Sequence, residues 1–231
     1  MIAVLFDVDL TLVDAKRSGS KAMRRAFAEL WGRGDALQGI PMGGRTDRAI
    51  FHDAVSAMMG REPDAGELER MQERFEALYY GLLEAQLRET PAEPCPGIPA
   101  VLERIEEVTG LAPGLATGNF VKGAALKVRS AGIDPGRFAY GAYGDESEDR
   151  DEIVALALER ARSYAGADPV PVILGDTPLD HAAARANGAR SALVGTGLCD
   201  YDELTVLEPD FIAPSLSDPD PFLEWLRAQG A

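Results

Sequence analysis

Asp7 and Asp9 stand two residues apart directly after the apolar run Ile2-Ala3-Val4-Leu5-Phe6. Three more polar clusters follow apolar or strand-like segments in the same way. Thr117-Gly118-Asn119 comes after Leu115-Ala116, and the charged loop Asp145 to Arg150 comes after Tyr140. Gly175-Asp176-Thr177-Pro178-Leu179-Asp180 comes after Val172-Ile173-Leu174. Two carboxylates that close together on a turn repel each other unless something neutralises them. A hard cation such as Mg²⁺ does so through oxygen ligands, commonly a few carboxylates with water and a substrate phosphate. Asp7 and Asp176, from different segments, can supply those carboxylates, and Asp180 can orient a ligand or a metal-bound water. An Asp after a strand is also an ordinary turn or helix-cap residue. What favours a site is that all the clusters fall at equivalent ends.

The elements between the clusters place them at one edge. Ile2 to Phe6 is apolar throughout, as a strand buried on both faces requires. From about Lys16 to Leu87 the pattern reads as helix and loop: Ser18 to Trp31, Asp47 to Met59 and Ala65 to Leu87. Thr90 to Gly97 is Pro-rich and reads as a boundary and a hinge. Beyond it, helices at Ile98 to Val108, Val121 to Ala131, Arg150 to Tyr164 and Leu179 to Asn187 alternate with strands. The strands are predicted around Leu111 to Ala116, Phe138 to Tyr140, Val170 to Leu174 and Ser191 to Val194. Alternation of this kind predicts an α/β fold with a parallel sheet and right-handed crossovers. In such sheets ligands gather beyond the carboxyl ends of the strands. The predicted organisation is a Rossmann-like core of residues 1–15 and 88–231 with an α-helical domain of residues 16–87 inserted after the first strand.

Composition excludes some functions. The chain has 231 residues, 23 Lys plus Arg against 38 Asp plus Glu, and a formal net charge of −15. That balance argues against general nucleic-acid binding, which needs a basic footprint. No stretch reaches the roughly 18 apolar residues of a membrane helix. The N-terminal apolar run meets Asp7 at once, unlike a signal peptide. Two cysteines, Cys95 and Cys199, fit a reducing compartment. The expectation is a cytoplasmic protein, monomeric or weakly homodimeric, without nucleic-acid or membrane partners.

The strand with Asp7-Val8-Asp9-Leu10-Thr11-Leu12 resembles the first signature of the haloacid dehalogenase (HAD) superfamily. Thr117 resembles its second signature and Gly175 to Asp180 its fourth, and residues 16–87 are similar to the helical cap of many members. The resemblance is to phosphoglycolate phosphatase-like hydrolases with such a cap. It implies a Mg²⁺-dependent phosphatase acting on a small phosphorylated metabolite through an aspartyl-phosphate. It implies Asp7 as nucleophile and Asp9 as general acid and base, its carbonyl also on the metal. Thr117, Gly118 and Asn119 would hold the transferring phosphoryl oxygens, and Asp176 and Asp180 would complete or support the metal site. Asp9 favours phosphate esters over carbon–halogen bonds, since a halide leaves without a proton. A phosphomutase stays open, as does a phosphate-binding or regulatory protein that has lost turnover.

Two positions depart from the family's pattern. Leu10 stands where Gly is usual, and Arg150-Asp151 stands where a Lys usually opens a helix. Arg150 can neutralise a phosphate or Asp7, although Arg and Lys are not interchangeable. Lys122 and Lys127 are alternatives by charge, with a solvated surface position the expectation for both. In Gly43-Gly44-Arg45-Thr46-Asp47, Arg45 is a candidate contact for a second anionic group of the substrate; equally, Thr46 or Asp47 simply caps the next helix. His52 and His181 are expected to be structural, and Trp31, Trp225, Phe27, Phe51 and Phe75 to be core.

Overall fold

The computed structural model describes residues 1–230. A six-stranded parallel sheet is built from β1 (Ile2–Phe6), β4 (Gly114–Ala116), β5 (Tyr140–Ala142), β6 (Val170–Gly175), β7 (Arg190–Val194) and β8 (Phe211–Ala213). Their spatial order is β5-β4-β1-β6-β7-β8. The crossovers are α4 (Ile98–Thr109), α5 (Val121–Ser130), α6 (Arg150–Ala165), α7 (Pro178–Ala186) and α8 (Tyr201–Val206), and α9 (Asp220–Gln229) closes the chain. This is the α/β Rossmann-like fold the alternation predicts.

β1 lies at the sheet's centre, and its apolar run serves both faces. Ile2, Val4 and Phe6 join the larger core cluster, and Ala3 and Leu5 the smaller one. Alternate residues of a strand point to opposite faces, so a strand covered on both sides must be apolar throughout.

Between β2 (Val13–Asp14) and β3 (Glu93–Pro94) the chain forms α1 (Ser18–Trp31), α2 (Asp47–Met59) and α3 (Ala65–Glu89). This helical block is held by aromatic packing. Phe27, Phe51 and Phe75 are fully buried, with ring centroids 4.9 to 5.7 Å apart, and Tyr79 stacks on Phe75 at 5.0 Å. Trp31 and Trp225 are partly buried against the same core, Trp31 at its edge beside Phe27 and Phe51.

The two connections to the block run side by side. β2 and β3 pair antiparallel, and Lys16 Nζ bridges them, 2.6 Å from Asp14 Oδ2 and 3.0 Å from Glu93 Oε2. A two-residue strand leaves no periodic signal, which is why neither is visible in the sequence. β8, three residues long and only partly buried, is likewise too short to carry a period. The short strand predicted at Phe138 to Tyr140 lies two residues later, because the turn at Pro135–Arg137 delays it.

Phe51 touches three other rings of the block, so truncation should open a cavity there. Phe51→Ala is expected to cost about 3–5 kcal/mol in chemical denaturation. A loss below about 1 kcal/mol would show that the aromatic cluster does not hold the block together.

Candidate active site

β4, β1 and β6 are neighbours, so the residues just past their ends lie side by side, one strand spacing of about 4.8 Å apart. Asp7 N–H still donates to Leu174 O at 2.9 Å, and Thr117 N–H to Ala142 O at 3.1 Å, so the ladder reaches one residue into the site. Asp7, Asp176 and Asp180 are all buried, with carboxylate oxygens within 4.8 Å of one another. Asp7 and Asp176 face a cavity of about 940 Å³ whose lining also includes Asp9, Asn119, Lys127 and Arg150 from the core and Arg17, Arg24 and Arg45 from the helical block.

Charge is not balanced among these acids. Burial pushes the Asp7 carboxyl from 3.8 up to about 6 against the pull of Arg150, and burial with the nearby Asp180 and Asp7 pushes Asp176 up to about 9. Asp176 has one hydrogen bond among the described residues, from the Thr11 hydroxyl to Oδ1 at 3.1 Å. Beside its Oδ2 lies Gly197, where a Cβ would come within 2.0 Å, so only glycine fits. All-oxygen donors, anionic and buried, match a hard divalent cation such as Mg²⁺. Asp7 and Asp176 have oxygens to offer it. Asp180 lies within the same reach, and it is also engaged: its Oδ2 accepts from Thr177 N–H (3.1 Å) and Oγ1 (2.7 Å) in a capping box, and its Oδ1 accepts from Arg150.

Arg150, the first residue of α6, is 7% exposed and does reach Asp7. One nitrogen, Nη2, meets three acceptors: Asp7 Oδ1 at 3.0 Å, Asp180 Oδ1 and Ala116 O at 3.1 Å. Nε, also buried, has no partner among the described residues. Three acceptors around one nitrogen form a slot suited to an ammonium with three donors, whereas Nη2 of the guanidinium brings only two N–H groups to it. Leu10 also follows from the backbone. Its φ is +59°, the left-handed region where Gly is free and a branched side chain is strained by roughly 1–2 kcal/mol. The turn is held by Leu10 N–H to Val13 O at 2.8 Å and by the Thr196 hydroxyl on Leu10 O.

Asp9 and the Thr117 cluster meet through side chains. Asn119 Nδ2 donates to Asp9 Oδ2 at 2.9 Å and to Thr117 Oγ1 at 3.0 Å. Lys127 overturns the surface expectation. Its side chain is 4% exposed, Nζ lies 2.5 Å from Asp9 Oδ2, and it also donates to Asn119 Oδ1. Burial opposes its charge, but the combined pull of Asp9 and Asp47 outweighs this and holds its pKa above 10.5. The signal lay in the helix period: Ala124, Lys127, Val128 and Ala131 share one buried stripe, and a cation on such a stripe needs a partner. Lys122 is exposed, as expected, over the Tyr80 ring.

The helical block is docked on this edge. Asp47 N–H donates to Gly118 O at 2.6 Å, and Asp47 Oδ2 accepts from Phe120 N–H at 3.0 Å. Asp47 thereby caps α5, whose own N-cap, Phe120, offers no side-chain acceptor. A Cβ on Gly118 would lie 2.4 Å from Arg45 O, so the contact demands glycine. Thr46 caps α2 and donates to Glu148 O, and His52 bridges Glu62 and Glu148. His181 meets the Ser191 hydroxyl. Both histidines hold elements together. Arg45 lines the cavity while pairing with Asp53 at 2.8 Å and with Pro41 O. No helix among the described residues is long and apolar enough to cross a membrane.

Arg150→Met leaves Asp7 and Asp180 without their buried counter-charge and should cost about 3–5 kcal/mol in denaturation. Arg150→Lys should recover most of it; if Lys is as damaging as Met, the slot does not accept an ammonium. A carboxyl that binds its proton more tightly folded than unfolded favours the fold at low pH. That contribution fades as pH rises from 3.8 through about 6 for Asp7 and about 9 for Asp176. Mg²⁺, which binds the ionised oxygens, should therefore raise the melting temperature more at pH 8 than at pH 5. No shift at pH 8 would remove the metal site.

Comparison with known proteins agrees with the geometry. Residues 153–219 match the HAD-hydrolase-like family model. No curated protein matches the sequence. Among solved structures, a hydrolase from Pseudomonas syringae is similar at 19% identity and TM-score 0.69, covering 97% of this chain and 98% of that one. CbbY from Rhodobacter sphaeroides, in complex with phosphate, is similar at 20% identity and TM-score 0.68, over 94% and 96%. β-Phosphoglucomutase from Clostridium difficile is similar at 17% identity and TM-score 0.66, over 99% of each chain. The chain therefore has the fold of the haloacid dehalogenase-like hydrolases and, over residues 153–219, their sequence pattern as well.

Proposed function

We propose that the protein is a Mg²⁺-dependent phosphatase that hydrolyses a small phosphorylated metabolite through a phosphoryl-Asp7 intermediate. The observation that carries this is the meeting of Asp7, Asp176 and Asp180 within 4.8 Å, with Arg150 on Asp7 Oδ1. Asp7 Oδ2, without a hydrogen bond among the described residues, is the oxygen that attacks phosphorus. The phosphorus–oxygen ester bond breaks, and Asp9 protonates the departing alkoxide. Asp9 then takes a proton from the water that splits the acyl phosphate, returning Asp7 and releasing inorganic phosphate. Asp7, Asp176 and the Asp9 carbonyl would hold the metal, and Asp180 would position Arg150 and Thr177. A bound Mg²⁺ supplies charge neutralisation for the phosphoryl oxygens. Thr117, Gly118 and Asn119 would orient those oxygens.

Residues 16–87 act as a cap in this reading, and the cap selects the substrate. Arg17, the residue before α1, and Arg24 on that helix stand exposed at the cavity wall, which Arg45 also lines. They suit a substrate with more than one anionic group. The Rhodobacter CbbY has been crystallised with xylulose-(1,5)bisphosphate, and a sugar phosphate fits this cavity's charge equally well. Monomeric or weakly dimeric behaviour and a cytoplasmic location accord with the site but do not bear on its chemistry.

The seated cap favours one second reading. Asp47 on Gly118 O seats the cap against the core, and a cap that closed fully and kept water out would turn hydrolysis into phosphomutase transfer. Inorganic phosphate released from a panel of sugar phosphates separates the two, since a mutase returns an isomer instead. Protein that binds phosphate esters without converting them would be the regulatory alternative. In the phosphatase, Asp7→Asn abolishes metal-dependent turnover, and Asp9→Asn lowers it on the order of 10²–10⁴-fold with alkyl phosphates. Turnover unaffected by Asp7→Asn refutes the mechanism.

A further inference from the structure

We infer that Lys127 is a positioning residue for the acid/base carboxylate of Asp9. The inference rests on the phosphatase reading above for the role of Asp9, but its geometry stands on its own. The Asp9 side chain is 42% exposed, at the open side of the cavity, where a carboxylate would otherwise rotate freely. Two donors converge on one of its oxygens: Lys127 Nζ at 2.5 Å and Asn119 Nδ2 at 2.9 Å, both on Oδ2. Oδ1 has no hydrogen bond among the described residues. Holding one oxygen of a planar carboxylate from two directions fixes its plane and leaves the other oxygen for proton exchange. Asn119 is in turn pinned, because Lys127 donates to its Oδ1 while its Nδ2 also reaches Thr117 Oγ1. One ammonium thus orders both the acid/base group and the phosphoryl-binding cluster.

The core and the cap together keep that ammonium in place. Ala124 and Val128 hold the stem in the buried stripe of α5. On the cap side, a Cβ added at Gly19 would lie 3.1 Å from Nζ, so α1 closes over the ammonium with no side chain between them. Asp47, also from the cap, adds a second negative charge nearby. Arg150 pairs with Asp7 and Asp180, whereas Lys127 pairs with Asp9. The site therefore has two buried cations with separate tasks, one at the nucleophile and one at the acid/base.

Lys127→Met keeps the stem and removes the charge. Its crystal structure should show Asp9 turned away from its present plane or in more than one rotamer. Kinetically, kcat/KM, which reports phosphoryl transfer to Asp7, should fall roughly 10–10²-fold for an alkyl phosphate, as expected when a reacting group is misplaced. It should fall less than about threefold for p-nitrophenyl phosphate, whose leaving group needs no proton. Combined with Asp9→Asn, it should cause no further loss with the alkyl ester. An unmoved Asp9 in the crystal, equal losses of kcat/KM for both esters, or additive losses in the double variant would each overturn the proposal. Should Lys127→Met not fold, Lys127→Gln, which keeps a donor without the charge, carries the same measurements. Failure of the phosphatase reading shows separately, as wild-type protein without Asp7-dependent turnover of either ester; the crystallographic position of Asp9 then still decides the role of Lys127.

Discussion

Like charge crowded at the carboxyl edge of a parallel sheet is the constraint around which this molecule is arranged. Asp7, Asp176 and Asp180 come from two adjacent strands and the helix after one of them, and their oxygens meet in a buried place where repulsion is poorly screened. Arg150 answers part of it from α6, and Thr11 and Thr177 answer part by donating hydroxyls. What stays unanswered is concentrated on Asp176, where burial and neighbouring charge raise the carboxyl most. Among the described residues no further cation reaches that point, which suits it to an external one.

The same logic explains how an Arg can stand where relatives of this fold are expected to use Lys. The slot offers three acceptors to a single nitrogen, a demand set by point charge more than by planar shape. The guanidinium meets it with one arm and leaves Nε unpaired. At Leu10 the backbone, not the side chain, is what the turn requires. A non-glycine residue is held in the left-handed region by hydrogen bonds on both its N–H and its C=O. Both departures keep the geometry and accept a local cost.

Much of this was legible in the sequence because it depends on short-range pattern. The apolar run before Asp7 reads directly as a doubly buried strand, and the helices Ser18–Trp31 and Asp47–Met59 begin and end where periodicity and glycines place them. The strand-end positions of Thr117 and Asp176 follow from the same alternation. What stayed hidden depends on three-dimensional partners. β2 and β3 are too short to carry a period and exist because each pairs with the other. Asp47 reads as a helix-start residue, and nothing local says that it caps a helix of the core. Lys127 reads locally as a solvated cation, since only the fold supplies Asp9 opposite it.

The adjacent entry and exit of the helical block carry a consequence for how such a protein changes over time. A segment that leaves the core at Val13–Asp14 and returns at Glu93–Pro94 begins and ends on neighbouring hydrogen-bonded strands. Its replacement by a shorter loop or a different module would leave the sheet's six strands and their terminal carboxylates where they are. Under the proposed function, selectivity would then reside mainly in a stretch of chain that can be exchanged without disturbing those carboxylates. An exchange would have to keep the contacts that Gly19 and Asp47 make with Lys127 and with the Gly118–Phe120 turn.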